Sequence, residues 1–313
     1  MWDTSRVAAY ARRNPHIKPL LAGRAVSPET SLCVDPAVLN LWHPLAALSE
    51  LSPDRDYRTT LLGYEIVHGI DAAAEPWVVL ADRPDELLPV DTRYGYVWTS
   101  IGEPPGAVFD IPEALEPDRR LLNACSIQVA TSAPRAVENF LDMGHFPYVH
   151  TGLLGEEPHT EVVDYHAGVE GGEVWARDCL FFQPVAAMSA AGGQMTDYTY
   201  RVPHPYCVVL YKTVAGDPSR RDVIALFVQA MTQEKIRAHN FLCLVDSTST
   251  DNDLKKFQQI IFSQDKPILE NQYPKRLPLD PRAETPIRAD QSSIAYRRWL
   301  SDLGVDYSVV RAR

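Results

Sequence analysis

The stretch Glu138-Asn139-Phe140-Leu141-Asp142-Met143-Gly144-His145-Phe146-Pro147-Tyr148-Val149-His150-Thr151 gathers a carboxylate and two imidazoles into a few residues among aromatic neighbours. Two neutral imidazoles with one carboxylate offset the charge of a ferrous ion and leave coordination positions open for O2 beside a substrate. His145 and His150 are the candidate imidazoles. Asp142, three residues before His145, suits a carboxylate that accepts the second ring N–H and fixes the ring's orientation. In an unbroken helix a spacing of five would point the two rings apart. Pro147 lets the chain turn between them, so both can reach one point. The same break means that the stretch does not match the His-Glu-x-x-His helix of zinc proteases.

A further ligand must come from elsewhere in the chain. Leu254, Phe257, Ile261 and Ile268 recur at helical spacing after Ser247-Thr248-Ser249-Thr250-Asp251, whose hydroxyls and acids suit a helix N-terminus. Asp265 falls on that apolar stripe, four residues after Ile261 and three before Ile268. A carboxylate on a buried face is costly without a cation, so its expected partner is a buried Arg or Lys, or a bound metal. Pro267 removes a backbone donor just beyond it and is expected to kink the helix there. A plainer reading stands beside this one: an Asp and two His within nine residues is a weak pattern by itself, and histidines among aromatics are more often satisfied core groups.

The elements that must position these residues follow from periodicity and punctuation. Residues 1–36 form an extension broken by prolines, with a short helix expected over Ser5 to Arg13. From about 37 to 115 the pattern is β, with Tyr57 to Leu62, Tyr64 to Val67, Trp77 to Leu80 and Tyr94 to Trp98 as strands. His43 and His68 are expected at a strand edge and on the surface. Glu103-Pro104-Pro105-Gly106 and Pro112 to Asp118 make an acidic, proline-rich connector, the expected domain boundary. From 116 to 313 a strand over Asn123 to Ala130 leads to a helix from Pro134 to about Met143, opened by Ser132 and stopped by a left-handed Gly144. Strands are then expected over Glu161 to Val169, Val174 to Phe182, Asp197 to Val202, Cys207 to Thr213, Asp222 to Met231 and Arg237 to Asp246, before the helix that carries Asp265.

With 313 residues and 45% apolar content, the chain can fill a sizeable core. Thirty basic against 41 acidic residues leave a net charge of -11, which argues against general affinity for nucleic acid or anionic membrane. Five scattered cysteines lack metal or redox spacing and are expected as reduced thiols of a cytoplasmic protein. The N-terminus lacks the pattern of a signal peptide, and the apolar runs are too short to span a bilayer.

Asn139 to Gly155 closely resembles the Asp-x2-His-x4-His segment of Rieske-type non-haem iron oxygenase α subunits, especially the vanillate demethylase-like branch. The resemblance continues through Phe257 to Asp265, where that family places its carboxylate ligand, and through Leu277-Pro278-Leu279 and Ser293 to Leu300. It also takes in Leu41-Trp42-His43-Pro44, Leu61-Leu62-Gly63 and Tyr94 to Trp98, and so spans nearly everything after Val38. It implies an α+β fold: a small remnant β domain, then a helix-grip (START-like) catalytic domain whose antiparallel sheet wraps a long C-terminal helix. By the same resemblance His145, His150 and Asp265 bind Fe(II), Asp142 is the electron bridge, and Asn139 supports the site nearby. One departure is informative. A Rieske cluster needs Cys-x-His and Cys-x2-His pairs, and the chain passes from Trp77-Val78-Val79-Leu80 to Tyr94 to Trp98 with neither. In this it is similar to the Rieske-less oxygenase subunits of bacterial 7-methylxanthine N-demethylation.

The resemblance therefore implies O2 activation and oxidative N-demethylation of a small, methylxanthine-like aromatic. Electrons would pass from NAD(P)H through the Rieske [2Fe-2S] cluster of a separate reductase, within a homo- or hetero-oligomer. O-demethylation or ring hydroxylation of another aromatic is the neighbouring expectation. A non-catalytic assembly subunit and a helix-grip binding protein, in which the histidines hydrogen-bond a ligand, are the alternatives from other classes.

Overall fold

The computed structural model describes residues 31–53, 55–185, 192–214 and 217–311. The helix expected over Ser5 to Arg13 lies outside these residues. After a single helical turn, α1 (Pro36–Leu39), the chain forms β1 (His43–Ala47), β2 (Tyr57–Leu61), β3 (Tyr64–Ile70), β4 (Pro76–Leu80), β5 (Arg83–Leu87), β6 (Val90–Arg93) and β7 (Tyr96–Thr99). β2 to β5 make a four-stranded sheet, and β1, β7 and β6 a three-stranded one. Both Leu62-Gly63 and Tyr94-Gly95 have positive φ at each residue, the two-residue turn that matches strand twist.

A seven-stranded antiparallel sheet dominates the rest. Its strands are β8 (Arg120–Val129), β9 (His166–Glu170), β10 (Glu173–Gln183), β11 (Gln194–His204), β12 (Cys207–Val214), β13 (Asp217–Thr232) and β14 (Lys235–Leu244), in the order β8-β14-β13-β12-β11-β10-β9. Two helices, α2 (Ala133–Leu141) and the single turn α3 (Phe146–Val149), lie between β8 and β9. The 21-residue α4 (Asp251–Asn271) and then α5 (Gln291–Asp302) follow β14, and α4 packs on β8. The long helix held against a curved antiparallel sheet is the expected α+β helix-grip arrangement.

Period-two alternation divides the large sheet into two working faces. Cys207, Val209, Phe227 and Phe241 bury one face against Tyr96 and Trp98 of the three-stranded sheet. Leu210, Ile224 and Leu242 point to the other face, towards α4 and the cavity described below. A second core joins Leu45, Leu61 and Val97 to Val208, Val228 and residues of α2 and α5. The small sheets and the large one thus share apolar surface continuously.

Several local expectations differ from the structure. Strand β9 begins only at His166 because the preceding chain is held by side chains: Val162 and Tyr165 are buried, and the Tyr165 hydroxyl donates to Ala289 O at 2.6 Å. Helix α2 ends at Leu141, and Gly144 is not left-handed. Asp142 Oδ1 instead accepts the Gly144 N–H at 2.7 Å, a side-chain turn that replaces the glycine cap. Helix α4 runs through Pro267 without interruption, and Leu269 rather than Ile268 is its buried residue there. His43 and His68 are both buried. His43 Nε2 bonds Val38 O at 2.9 Å, and the His68 ring stacks on Tyr57 at 5.6 Å.

Candidate metal centre and substrate cavity

Ser132 caps α2 by accepting the Arg135 N–H, and Pro134 sits in its first turn. The exit of α2 is fixed by a buried ionic cluster. Arg135 bonds Glu138 and Glu284, while Arg297 of α5 donates to Glu138 Oε1 at 2.6 Å and pairs with Glu284. Burial pushes the Glu138 carboxyl up, with the two guanidinium groups acting against it. Two long-range guanidinium links therefore hold the segment that leads to Asp142 and His145.

Phe146 and Pro147 open α3, so Pro147 begins a helical turn as well as ending the preceding one. That turn brings His145 and His150 to ring centroids 5.0 Å apart. The return loop passes so close that a Cβ on Gly155 would meet Pro147 N at 2.7 Å, which only glycine permits. Asp265 projects from the middle of α4 to the same point, and ligand atoms of His145, His150 and Asp265 lie within 4.8 Å of one another.

Hydrogen bonds set the ring tautomers. His145 Nδ1–H donates to Asp142 Oδ2 at 3.0 Å, and His150 Nδ1–H to Gln264 Oε1 at 2.8 Å. With each neutral ring protonated at Nδ1, both Nε2 atoms present lone pairs, and they face each other at 3.1 Å. Asp265 Oδ1 lies 3.1 Å from His150 Nε2 and 3.4 Å from His145 Nε2, yet this buried oxygen has no hydrogen bond. Three electron-pair donors converging in this way require positive charge between them, and among the described residues no Arg or Lys pairs with Asp265. The donor set, two imidazoles and a carboxylate, fits a divalent cation. Without one, a proton serves: burial opposes charge on His145, but the nearby carboxylates of Asp142 and Asp265 outweigh it and raise the ring to about 9. Burial pushes Asp265 up, and the two histidines more than reverse this.

A cavity of about 280 Å³ opens from this point between α4 and the inner face of the sheet. Its walls are mainly apolar and aromatic, with Phe146 against both histidine rings and Phe140, Tyr198, Tyr200 and Phe262 further along, and a few polar groups that include Asn139, Lys212, Asp222, Asn240 and Gln258. Asp142 is outside this list. Its side chain, 34% exposed against 12% for Asp265, lies in a separate polar recess with Ile268, Glu284 and Asp290.

Residues 129–305 match the family model described as the vanillate O-demethylase oxygenase C-terminal domain. The chain belongs to this family. Within it, the chain is 46% identical over 276 residues to the probable methylxanthine N7-demethylase NdmC of Pseudomonas sp. (strain TJI-51), covering 88% of this chain and 97% of that relative. It is 26% identical over 221 residues to the methylxanthine N1-demethylase NdmA of Pseudomonas putida, covering 68% of this chain and 59% of the relative. The solved structure of Pseudomonas putida CBB5 NdmA superposes with a TM-score of 0.65 at 19% identity, over 84% of this chain and 89% of that one. Dicamba monooxygenase bound to dicamba superposes with a TM-score of 0.68 at 17% identity, over 85% and 97%. These two structures share the fold.

All five residues singled out in the sequence fall in the part that matches the family model, and four meet directly: Asp142, His145, His150 and Asp265. Asn139 lines both the cavity and the recess of Asp142. Sequence reasoning missed Gln264, Glu138 with its two arginines, and the Lys212 and Asp222 pair. Gln264 directly precedes Asp265 and carries no periodic signal. Lys212 did carry one: it occupies the inward position of the alternation Val208, Leu210, Lys212.

Proposed function

We propose that this protein is the iron-binding oxygenase component of an N-demethylase whose substrate is a 7-methylxanthine-like purine. The convergence of His145 Nε2, His150 Nε2 and the orphaned Asp265 Oδ1 at the wall of an aromatic cavity carries the reading. The 46% identity to a probable methylxanthine N7-demethylase favours an N-methyl group on the imidazole half of a xanthine over the O-demethylation suggested by the family's name.

In this reading His145, His150 and Asp265 hold Fe(II). Bound there, iron would supply O2 activation, so that with two electrons and two protons one oxygen atom would enter a C–H bond of the N-methyl and the other leave as water, the N-hydroxymethyl product then losing formaldehyde to leave an N–H. The chain's own residues do the rest. Asp142 and Gln264 keep each imidazole's proton on Nδ1 and so keep Nε2 directed inward. Phe140, Phe146 and Tyr200 exclude water and offer surfaces for a planar ring.

The electrons come from outside the chain. Among the described residues the only group of three or more His, Cys, Asp or Glu placed to hold a metal is His145, His150 and Asp265, and no cysteine lies between Cys33 and Cys125. A partner's Rieske [2Fe-2S] cluster, reduced by NAD(P)H, would approach the recess where Asp142 is partly exposed beside Ile268, itself 48% exposed. Asp142 then links that cluster to His145, and Asn139 supports the same segment. The complex is cytoplasmic in this reading. No described helix is long and apolar enough to cross a membrane, and the five cysteines are free thiols.

The test is metal content followed by turnover. The purified protein should carry about one iron per chain, and His145→Ala, His150→Ala or Asp265→Ala should each lose it. With a Rieske-containing reductase and NADH, 7-methylxanthine should yield xanthine and formaldehyde. Protein that folds but refuses Fe(II) would instead support an assembly or ligand-binding subunit. Iron-loaded protein that releases no formaldehyde with any competent donor would sink the demethylase reading.

A further inference from the structure

Lys212 and Asp222 are directly opposite each other in the β12–β13 ladder, on the inward face, and both line the cavity. Lys212 is only 7% exposed. Its neighbours on that face are apolar: Leu210, Ile224, Leu242 and Leu244 continue the wall, and Tyr198 faces Lys212 across the β11–β12 ladder. A buried lysine facing a carboxylate in such a wall is weak evidence for stability, because well-packed apolar residues of similar volume often stabilise as much or more. Placed in a cavity, it supplies what apolar surface cannot, a fixed donor beside a fixed acceptor. Asp222 Oδ1 already accepts the Val245 N–H at 2.9 Å, which orients the carboxylate and leaves its second oxygen for another donor.

The pair lies away from the metal ligands. The His145 ring is 5.1 Å from Phe146, the Phe146 ring is 6.3 Å from Tyr198, and Tyr198 is the residue that faces Lys212. Among the cavity's other polar residues, Gln258 Nε2 donates to Asn240 Oδ1 at 3.4 Å, and Asp246 accepts from Thr248 and Ser249.

Resting on the N7-demethylase reading, we propose that Lys212 and Asp222 are the residues that recognise the substrate's dione half. A methyl on the imidazole ring must face the metal ligands, so the pyrimidinedione half, with its alternating C=O and N–H groups, projects away from them. The Lys212 ammonium donates to a ring carbonyl, and the free Asp222 oxygen accepts from the adjacent ring N–H. The pair is complementary to a ring edge that carries both groups side by side. A purine methylated on both dione nitrogens offers Lys212 its carbonyl but gives Asp222 nothing. Burial lowers the Lys212 ammonium to about 8, with Asp222 opposing, so it remains mostly protonated at neutral pH.

The experiment is equilibrium binding to full-length, Fe(II)-loaded protein under anaerobic conditions, which needs no redox partner. The probes are 7-methylxanthine, with both dione N–H groups, and 1,3,7-trimethylxanthine, with neither. Lys212→Met should weaken both ligands by about tenfold or more, and Lys212→Arg should restore part of the loss. Asp222→Asn should weaken 7-methylxanthine by about tenfold while leaving 1,3,7-trimethylxanthine within about twofold. The double variant Lys212→Leu with Asp222→Val leaves no unpaired charge, so it remains folded if the singles do not; it should erase the preference for 7-methylxanthine. Folded variants that keep the wild-type preference would overturn the pair's role and leave the demethylase reading intact. Wild-type protein that binds neither purine would overturn the N7-methylxanthine reading and the pair's role with it.

Discussion

Asp142 Oδ2 accepts the Nδ1–H of His145 at 3.0 Å, so one hydrogen bond joins a partly exposed carboxylate to a ring whose other nitrogen faces Asp265. The contact both fixes the ring and leads from the surface to the candidate metal centre. Asp142→Asn keeps a carbonyl oxygen for the same N–H but removes the charge. Iron content should therefore stay at about one per chain, and a peroxide-driven single turnover should survive, while reductase-driven formaldehyde release falls by about 100-fold. Unchanged NADH-driven turnover would end the electron-bridge role.

Gln264 holds His150 as Asp142 holds His145, through a 2.8 Å bond to Nδ1. Gln264→Ala frees the imidazole to rotate or to place its proton on Nε2. Iron affinity should fall by about 10- to 100-fold, with little change in thermal stability. Competition against a chelator of known affinity measures this, and equal retention by both proteins would show that the bond is dispensable.

Arg297 is buried and donates to Glu138, whose only other guanidinium among the described residues is Arg135. Arg297→Leu leaves a buried carboxylate short of a partner and loosens the link between α5 and α2. A loss of about 3 kcal/mol in urea unfolding is expected, together with weaker iron retention. Glu138→Gln in the same background removes the stranded charge and should recover part of the stability.

Buried histidines outside the site make the fold acid-sensitive. Desolvation lowers His43 and His68 from 6.5 to about 4, with nearby Arg237 adding to the effect on His68. Both are neutral in the folded protein, whereas the unfolded chain protonates them below about pH 6.5. The stability they preserve is fully present above pH 6.5 and is lost as the pH falls towards 4. Each adds a slope of about 1.4 kcal/mol per pH unit within that window. Urea midpoints between pH 7 and pH 5 should fall accordingly, and less steeply for His68→Phe; parallel curves for the two proteins would contradict this assignment.

Much of the site was legible from local pattern. The types and spacing of Asp142, His145 and His150, the proline that turns the chain between the rings, and the carboxylate on the stripe of α4 depend only on nearby residues. Local pattern misled where distant side chains took over. Gly144 was not needed as a cap because Asp142 bonds its N–H, and β9 starts late because Tyr165 is tied to the start of α5. His68 reads as a surface residue until β3 is seen buried under the large sheet, near His239.

The sequence by itself determined the donor types, the helix that carries Asp265, and the alternation that sends Lys212 and Leu210 to one face. Such features repeat with the 3.6- and 2-residue periods of the backbone and need no distant partner. Only the tertiary structure decided that Asp265 meets two imidazoles and, among the described residues, no Arg or Lys, that Gln264 holds His150 across 114 residues, and that Lys212 faces Asp222 across a ladder. Those facts depend on strand register and on how the sheet curls around α4. Both are set by the sum of many long-range contacts, and no single stretch of residues records that sum.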